Sequence, residues 1–400
     1  MKNVFFALLL LAPANLFALP PTEVSNESNP IRWVSQPPAD CPFPASEEIT
    51  SITFTGRYAR YTAADTWYPS WAEDGNLYSP FADGTAGEFF TMWTEKTTGQ
   101  ARIEGDNPLN LDVIPLGLVK ANPKPYAGLY PCGTLIKDGI WYYGYYALTE
   151  LDWMNWTVQG PFVGFRISRD KGQTWSMPPH TAAKPIFGEH GAKDKYLKIG
   201  APHFVDFGRN MGHSPDGYAY MVAHGAELPD PKPRPVNLNW IVADQIYMLR
   251  VKPSLETIND PAAWEFFAGH NDSGDPVWTS GFSRIRPLLE WNNNMGCVTM
   301  TFNPKLEKYL MCVTDGRETI HSMNTYLLES DSLTGPFRLV TYMKDFGPQA
   351  YFVNIPSKFI SGDGRTAWLC YSANFTPQKL PVNPPGSGYG MTLQEIVFGK

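Results

Sequence analysis

From Tyr68 onward, apolar and polar positions repeat one phrase: a short apolar segment, a tight turn, then an aromatic-rich run with alternating sides. Five copies occupy residues 68–84, 130–147, 202–225, 296–316 and 355–375. Asp-Gly at 74–75, 138–139, 216–217 and 363–364 supplies the positive φ angles of a tight hairpin turn, and the fourth copy uses Asn303-Pro304-Lys305 instead. Each copy is predicted to be a β-hairpin, with Asp74, Asp138, Asp216 and Asp363 as turn residues. Further strands with period-two alternation are predicted at 89–96, 162–169, 245–252, 323–330 and 391–397.

Hairpins recurring every sixty to ninety residues leave room for two more strands and a loop in each unit. The predicted fold is all-β, a five-bladed β-propeller with four-stranded antiparallel blades. Radial closure hides the sheet edges, and large aromatics fill the wedges between twisted blades. A β-sandwich or two stacked β domains would explain the hairpins but not their shared grammar. The predicted propeller is one domain, 49–400, behind a Pro- and Ser-rich segment at 19–48.

Composition agrees. The 400 residues are 43% hydrophobic and only 18% charged, against about 25% in an average chain, and 37 prolines with 34 glycines interrupt them too often for long helices. The net charge of −7 leaves no basic footprint for nucleic acid.

At the N-terminus, Met1-Lys2-Asn3 precedes an apolar run from Val4 to Leu11 and small residues ending at Ala18, the pattern of a secretory signal peptide over 1–18. The run is too short to span a bilayer, so no membrane partner is expected. Asn-x-Ser/Thr sequons begin at Asn26, Asn155, Asn271 and Asn374. Cys41, Cys132, Cys297, Cys312 and Cys370 allow at most two bridges, and none has a zinc or C-x-x-C spacing. No metal or other cofactor is expected, and the chain is expected to be a monomer.

In a propeller the inner strands start at one mouth of the axial channel, where ligands bind. That rule brings together Asp65, Thr66, Trp67 and Tyr68 from blade one, Tyr126, Tyr130 and Cys132 from blade two, and Lys198, Pro202 and His203 from blade three. Blade four offers Glu290, Trp291 and Asn292 to Asn294, and blade five Gln349, Tyr351 and Asn354. Loops after the second strands add Asp83, His224, Glu227, Asp315, Arg317 and Glu318 if they rise at the same mouth. Carboxylates, amides and aromatic rings without a phosphate loop or nucleophile elbow suit a neutral, hydroxyl-rich ligand such as a polysaccharide or oligosaccharide. Hydrolysis of a glycosidic bond needs two carboxyl groups, one protonated and one ionised. Each candidate has a plainer reading: Asp65 as a turn cap, Asp83 and Asp315 as Asx turns before glycine, His203 and His224 as structural histidines, Trp67 and Trp291 as core.

Two stretches carry resemblances. Ser168-Arg-Asp170-Lys-Gly172-Gln-Thr174-Trp175 resembles the Asp-box of sialidase-like propellers, a fold marker on an outer hairpin without chemistry. Asp65-Thr-Trp67-Tyr-Pro-Ser-Trp71-Ala-Glu-Asp74-Gly75-Asn-Leu-Tyr78, with Phe81-Ala-Asp83-Gly84, resembles the opening blade of a family of secreted propellers that includes endo-D-arabinanases, and more distantly the arabinanase and β-fructosidase propellers. The distant resemblance implies that Asp65 is the base or nucleophile and that a later Glu is the acid. Glu290 stands in about that place, though Trp291-Asn-Asn-Asn replaces the family's Gly-Pro continuation. The leading expectation is a secreted glycoside hydrolase with Asp65 assisted by Asp83, Asp315 or Glu290, and Trp67, Tyr130, His203, His224, Trp291, Asn293, Arg317 and Asn354 binding substrate. The alternatives are a polysaccharide lyase using His203, Tyr130, Lys198 and Arg317, and a carbohydrate-binding propeller without catalysis.

Overall fold

The Asp-Gly turns form where the alternation places them. Asp74 accepts the Asn76 N–H and the Tyr78 hydroxyl, and Asp216 accepts the Tyr218 N–H and the Tyr220 hydroxyl. These aspartates therefore stitch hairpins, as a short side chain that bonds its own backbone does. The structure is a computed structural model that describes residues 17–91, 97–120, 128–149, 158–190, 196–227, 239–316, 323–375 and 382–400. Most of the leader, Tyr126, Asn155, Arg317, Glu318 and part of the predicted strand at 89–96 lie outside the described residues.

Among the described residues the strands form five antiparallel sheets, each a blade of a five-bladed β-propeller. Blade one runs outward as Ala63–Asp65, Leu77–Ala86, Thr97–Glu104 and Asp112–Lys120, and Phe89–Thr91, the described part of the predicted strand at 89–96, pairs with Leu77–Ala86 ahead of Thr97–Glu104. Among the described residues blade two has three strands, Gly128–Lys137, Ile140–Thr149 and Val158–Ser168, where four were expected. Its outer position goes to the 168–176 loop, where Ser176 pairs back with Ile167 and Asp170 accepts from the N–H groups of Gln173 and Thr174. Blade three starts at His203–Phe204 and Ala219–Gly225, and blade four contains Val298–Asn303, Lys308–Asp315, Asn324–Ser330 and Arg338–Met343.

Blade five is assembled from both ends of the chain. Tyr351–Asn354, Thr366–Ser372 and Met391–Gly399 are completed by Ser51–Tyr61, which pairs with the last strand. The segment before that strand continues round the rim, where Gln36 N–H donates to Tyr342 O of blade four and Pro44 O accepts from Leu339 N–H of the same blade. Burial of Trp33 edge-on against Phe54 and Phe346, with ring centroids 5.6 and 5.7 Å apart, anchors this belt.

Consecutive inner strands are joined around the axis. Ile136 N–H donates to Ser70 Oγ (3.0 Å), Gly133 N–H to Pro202 O (2.8 Å) and Asp206 N–H to Met300 O (2.9 Å). Thr299 Oγ1 donates to Val353 O (2.8 Å) and Asn354 Nδ2 to Trp67 O (2.9 Å). The series passes through blades one to five and returns to one, so the ring is closed. Among the described residues no disulfide forms; Cys132, Cys297, Cys312 and Cys370 are buried thiols, and Cys41 is half-buried. No described helix is long and apolar enough to cross a membrane.

Candidate active site

Asp65 closes the first segment of blade one's inner strand, which resumes at Ser70–Trp71, and lies across from Ala82 on the second strand, which brings Asp83 beside it. The loops after the second strands thus rise at the same mouth as the inner strands begin. Two local features build this corner. Thr66 and Asp83 both adopt positive φ (64° and 44°), conformations that side chains hold only when the surroundings impose them. Gly84 admits the neighbouring strand, for a Cβ there would lie 1.9 Å from Ala63 O.

The Asp65 carboxyl is buried and surrounded by hydroxyls. Thr66 Oγ1 donates to Oδ1 at 2.6 Å, Tyr351 Oη donates to Oδ2 at 2.6 Å, and Tyr389 Oη lies 3.2 Å from Oδ2. Tyr389 Oη also contacts the main-chain carbonyl of Asp83. Burial, and then the charge of Asp83, push Asp65 up to about 8. Asp83 is half-buried; burial raises it to about 6 against the lowering effect of a hydrogen bond from Tyr130. Two acidic groups whose environments separate their proton affinities can hold one proton between them near neutrality.

The Tyr68 ring packs against His203 with centroids 3.8 Å apart, above an axial cavity of about 50 Å³ lined by all five inner strands. Burial drives His203 well below its ordinary range and His224 down to about 4, so both rings are neutral at neutral pH. His224 Nε2 lies 3.0 Å from Asn239 O, in the described segment that includes Trp240. Next along it, Trp240 packs on Tyr351, Phe352 and Phe375, with centroids 5.1, 5.4 and 5.7 Å away.

The other sequence candidates fall in different places. Trp67 is core, stacked on Phe81 at 5.4 Å with its Nε1–H on Ala64 O. Trp291 is core as well, packed on Tyr326 and Phe43 in the wedge near blade four. Asp315 is buried in that wedge and accepts the Tyr342 hydroxyl at 2.6 Å. Glu290 is exposed on blade three and accepts from Gln245 Nε2. Asn354 holds the blade one to five junction, bonding Trp67 O and Phe352 O, and Asn293 N–H donates to Asp244. Arg317 lies outside the described residues. The aspartate pair is thus joined by Tyr130, with His203 and His224 deeper on the axis. Among the described residues no group of three His, Cys, Asp or Glu side chains could hold a metal ion.

Tyr389 was missed by sequence reasoning. Its signal was Gly388-Tyr389-Gly390: an added Cβ at either glycine would strike the first strand, 1.9 Å from Arg60 Nη1 or 2.7 Å from Thr62 O. An aromatic between two such glycines is carried close against another strand.

No family model matches the sequence, and no curated relative does. Solved structures similar in chain path include a GH43 β-xylosidase/α-arabinofuranosidase from a compost microbial metagenome (14% identity, 84% of this chain and 91% of that one, TM-score 0.46). The α-L-arabinofuranosidase of Podospora anserina is similar at 10% identity over 92% of this chain and 97% of its own, with TM-score 0.43. A family 117 glycoside hydrolase of Zobellia galactanivorans is similar at 12% identity over 96% and 91%, with TM-score 0.45.

Proposed function

We propose that this protein is a glycoside hydrolase that cleaves a polysaccharide at the axial mouth of the propeller, with Asp65 and Asp83 as its acid and base. The observation that carries the reading is the pair itself: two carboxyl groups on adjacent strands, one buried among hydroxyls and one half-buried, with different proton affinities. Tyr130, Phe375 and Tyr389 are partly exposed around it and offer ring faces to the C–H surfaces of sugars. The likeness of residues 65–84 to propellers that include endo-D-arabinanases makes an arabinan-type polymer the first substrate to try. The leader at 1–18 makes the enzyme a secreted one.

The lyase alternative asks Tyr130 or His203 to take a proton from carbon. Burial drives the Tyr130 hydroxyl well above its ordinary range and His203 well below its own, which leaves one a poor phenolate and the other a weak base. The hydrolase reading is therefore preferred. Its test is release of reducing ends from arabinans and a wider glycan panel by wild type, Asp65→Asn and Asp83→Asn. Each variant should lose at least about a hundredfold in rate. Equal activity in all three, or product bearing an unsaturated uronate, overturns it.

A further inference from the structure

The hydroxyls around Asp65 count protons. Besides Thr66 Oγ1 on Oδ1, three oxygen pairs are hydrogen-bonded here: Tyr351 Oη with Asp65 Oδ2 at 2.6 Å, Tyr389 Oη with the same Oδ2 at 3.2 Å, and Tyr389 Oη with Asp83 O. The two phenols bring two protons. A main-chain carbonyl can only accept, so the Tyr389 proton lies on the Asp83 side and the Tyr351 proton on Oδ2. The remaining pair, Tyr389 Oη and Asp65 Oδ2, then has no proton from either tyrosine. Facing lone pairs in a buried site repel, whereas a proton on Oδ2 makes the contact a hydrogen bond.

We infer that Asp65 rests as a carboxylic acid whose Oδ2 proton is donated to Tyr389, and that Tyr389 is a positioning residue holding this proton at the channel mouth. The proton on Asp65 also fits its surroundings. The titratable groups facing it are Asp83 on its own blade, Tyr68 below, Tyr130 and Tyr146 from blade two, and Tyr351 and Tyr389 from blade five. Burial holds every one of these tyrosines above the ordinary phenol range, so each stays neutral, and among the described residues no cation is in this set. A neutral Asp65 leaves a single negative charge, on the more exposed Asp83.

This inference rests on the hydrolase reading for its consequence, which reverses the role that the family resemblance implies for Asp65. The Oδ2–H bond breaks as the proton passes to the leaving glycosidic oxygen. A new O–H bond forms there, and the electron pair stays on Asp65, where Thr66 and Tyr351 still donate to it. The glycosidic C–O bond breaks with its electron pair staying on the leaving oxygen, and Asp83, ionised at the start, loses its charge in the same turnover, either by bonding the anomeric carbon or by taking a proton from the water whose oxygen bonds it. The two carboxyl groups are then never charged together.

The test is the infrared difference spectrum between wild type and Asp65→Asn in the full chain, followed as a function of pH and repeated in a Tyr389→Phe background. The carbonyl stretch of a protonated carboxylic acid should be present at neutral pH and vanish on the alkaline side. Phe keeps the ring but removes the acceptor, so the midpoint should fall by roughly one pH unit, the value of one hydrogen bond. If Tyr389 instead donates to an ionised carboxylate, its loss raises the midpoint. Absence of the acid band from wild type at neutral pH overturns the inference, as does an unchanged or raised midpoint in Tyr389→Phe. The wild-type spectrum decides the proton's location even where Tyr389→Phe does not fold. If the band behaves as expected and no glycan is cleaved, the hydrolase reading fails and the proton assignment stands.

Discussion

Tyr351 donates its hydroxyl to Oδ2 of Asp65 at 2.6 Å although the two are 286 positions apart, because ring closure sets the inner strand of blade five beside that of blade one. The bond joins the architecture to the chemistry. A carboxyl group reached only through closure of the propeller cannot be in its working state in an open or partly folded chain.

Tyr351→Phe removes a donor to Asp65 and keeps the ring against Trp240 and Phe375. Losing a donor to the anion favours the protonated form, so the alkaline limb of the pH–rate profile should move up. Turnover should fall about tenfold and stability by about 1–2 kcal/mol. Rate profiles and urea unfolding of the variant check both; an alkaline limb that stays or moves down contradicts the assignment.

The pair also predicts how stability depends on pH. A carboxyl whose proton affinity is higher in the folded chain than its ordinary value of 3.8 contributes stability that is fully present in acid and lost as pH rises through its folded value. For Asp65 that window runs from 3.8 to about 8, and for Asp83 from 3.8 to about 6. His224, ordinarily 6.5 and lowered to about 4, acts oppositely and loses its contribution as pH falls below 6.5. Between 6.5 and 8 Asp65 acts without that opposition, so stability there should fall by up to about 1.4 kcal/mol per pH unit. Urea midpoints across this range should slope downward in wild type and be nearly flat in Asp65→Asn.

Activity should be bell-shaped, requiring Asp83 ionised and Asp65 protonated, with limbs near 6 and 8. Asp83→Asn removes the neighbouring negative charge, which is the second cause of the raised Asp65 affinity. Its residual activity should therefore lose the alkaline limb at lower pH than wild type does. Measuring kcat/KM on whichever glycan is cleaved gives the comparison, and an alkaline limb that moves upward would exclude charge coupling within the pair.

The hairpins, the inner-strand starts and the turn role of Asp74 and Asp216 were legible in the sequence, because period-two alternation and Asp-Gly turns are local. The partnership of Asp65 with Asp83 was half legible: both were candidates, but only the bulged pairing of Asp65 with Ala82 sets them side by side. Asp315 ends the second strand of blade four, as Asp83 lies near the end of blade one's, and it bonds Tyr342 in the wedge instead. A strand residue changes face with one step of register, which a sequence does not display. The closing strand Ser51–Tyr61 and the axial segment around Trp240 were not foreseen, since both depend on contacts with distant blades.

Gly84→Ala tests the corner that holds Asp83. The added Cβ would lie 1.9 Å from Ala63 O and 2.8 Å from its carbonyl carbon, both main-chain atoms with no side-chain freedom to yield, at a φ of +149°. The strands must separate there, at a cost of about 2–4 kcal/mol. The molecules that still fold should be inactive, because Asp65 and Asp83 face each other through this pairing. A variant of wild-type stability and rate would show that the approach of the two strands is not needed.

Trp33→Ala tests the belt that ties the chain's beginning to its end. Trp33 is buried between Phe54 of the closing strand and Phe346 of the link from blade four to blade five, and its N–H donates to Ile52 O at 2.9 Å. Alanine keeps the main-chain bond and removes the ring, leaving a cavity where two blades and the N-terminal segment meet. The expected loss is about 3–5 kcal/mol. Because the first strand of blade one continues from Ser51–Tyr61, loosening this seam also loosens the Tyr351 and Tyr389 contacts to Asp65. Thermal inactivation should therefore begin before global unfolding is complete. Hydrogen exchange should find Ser51–Tyr61 and Met391–Gly399 opening together in the variant; if they keep wild-type protection, the belt does not secure the closure.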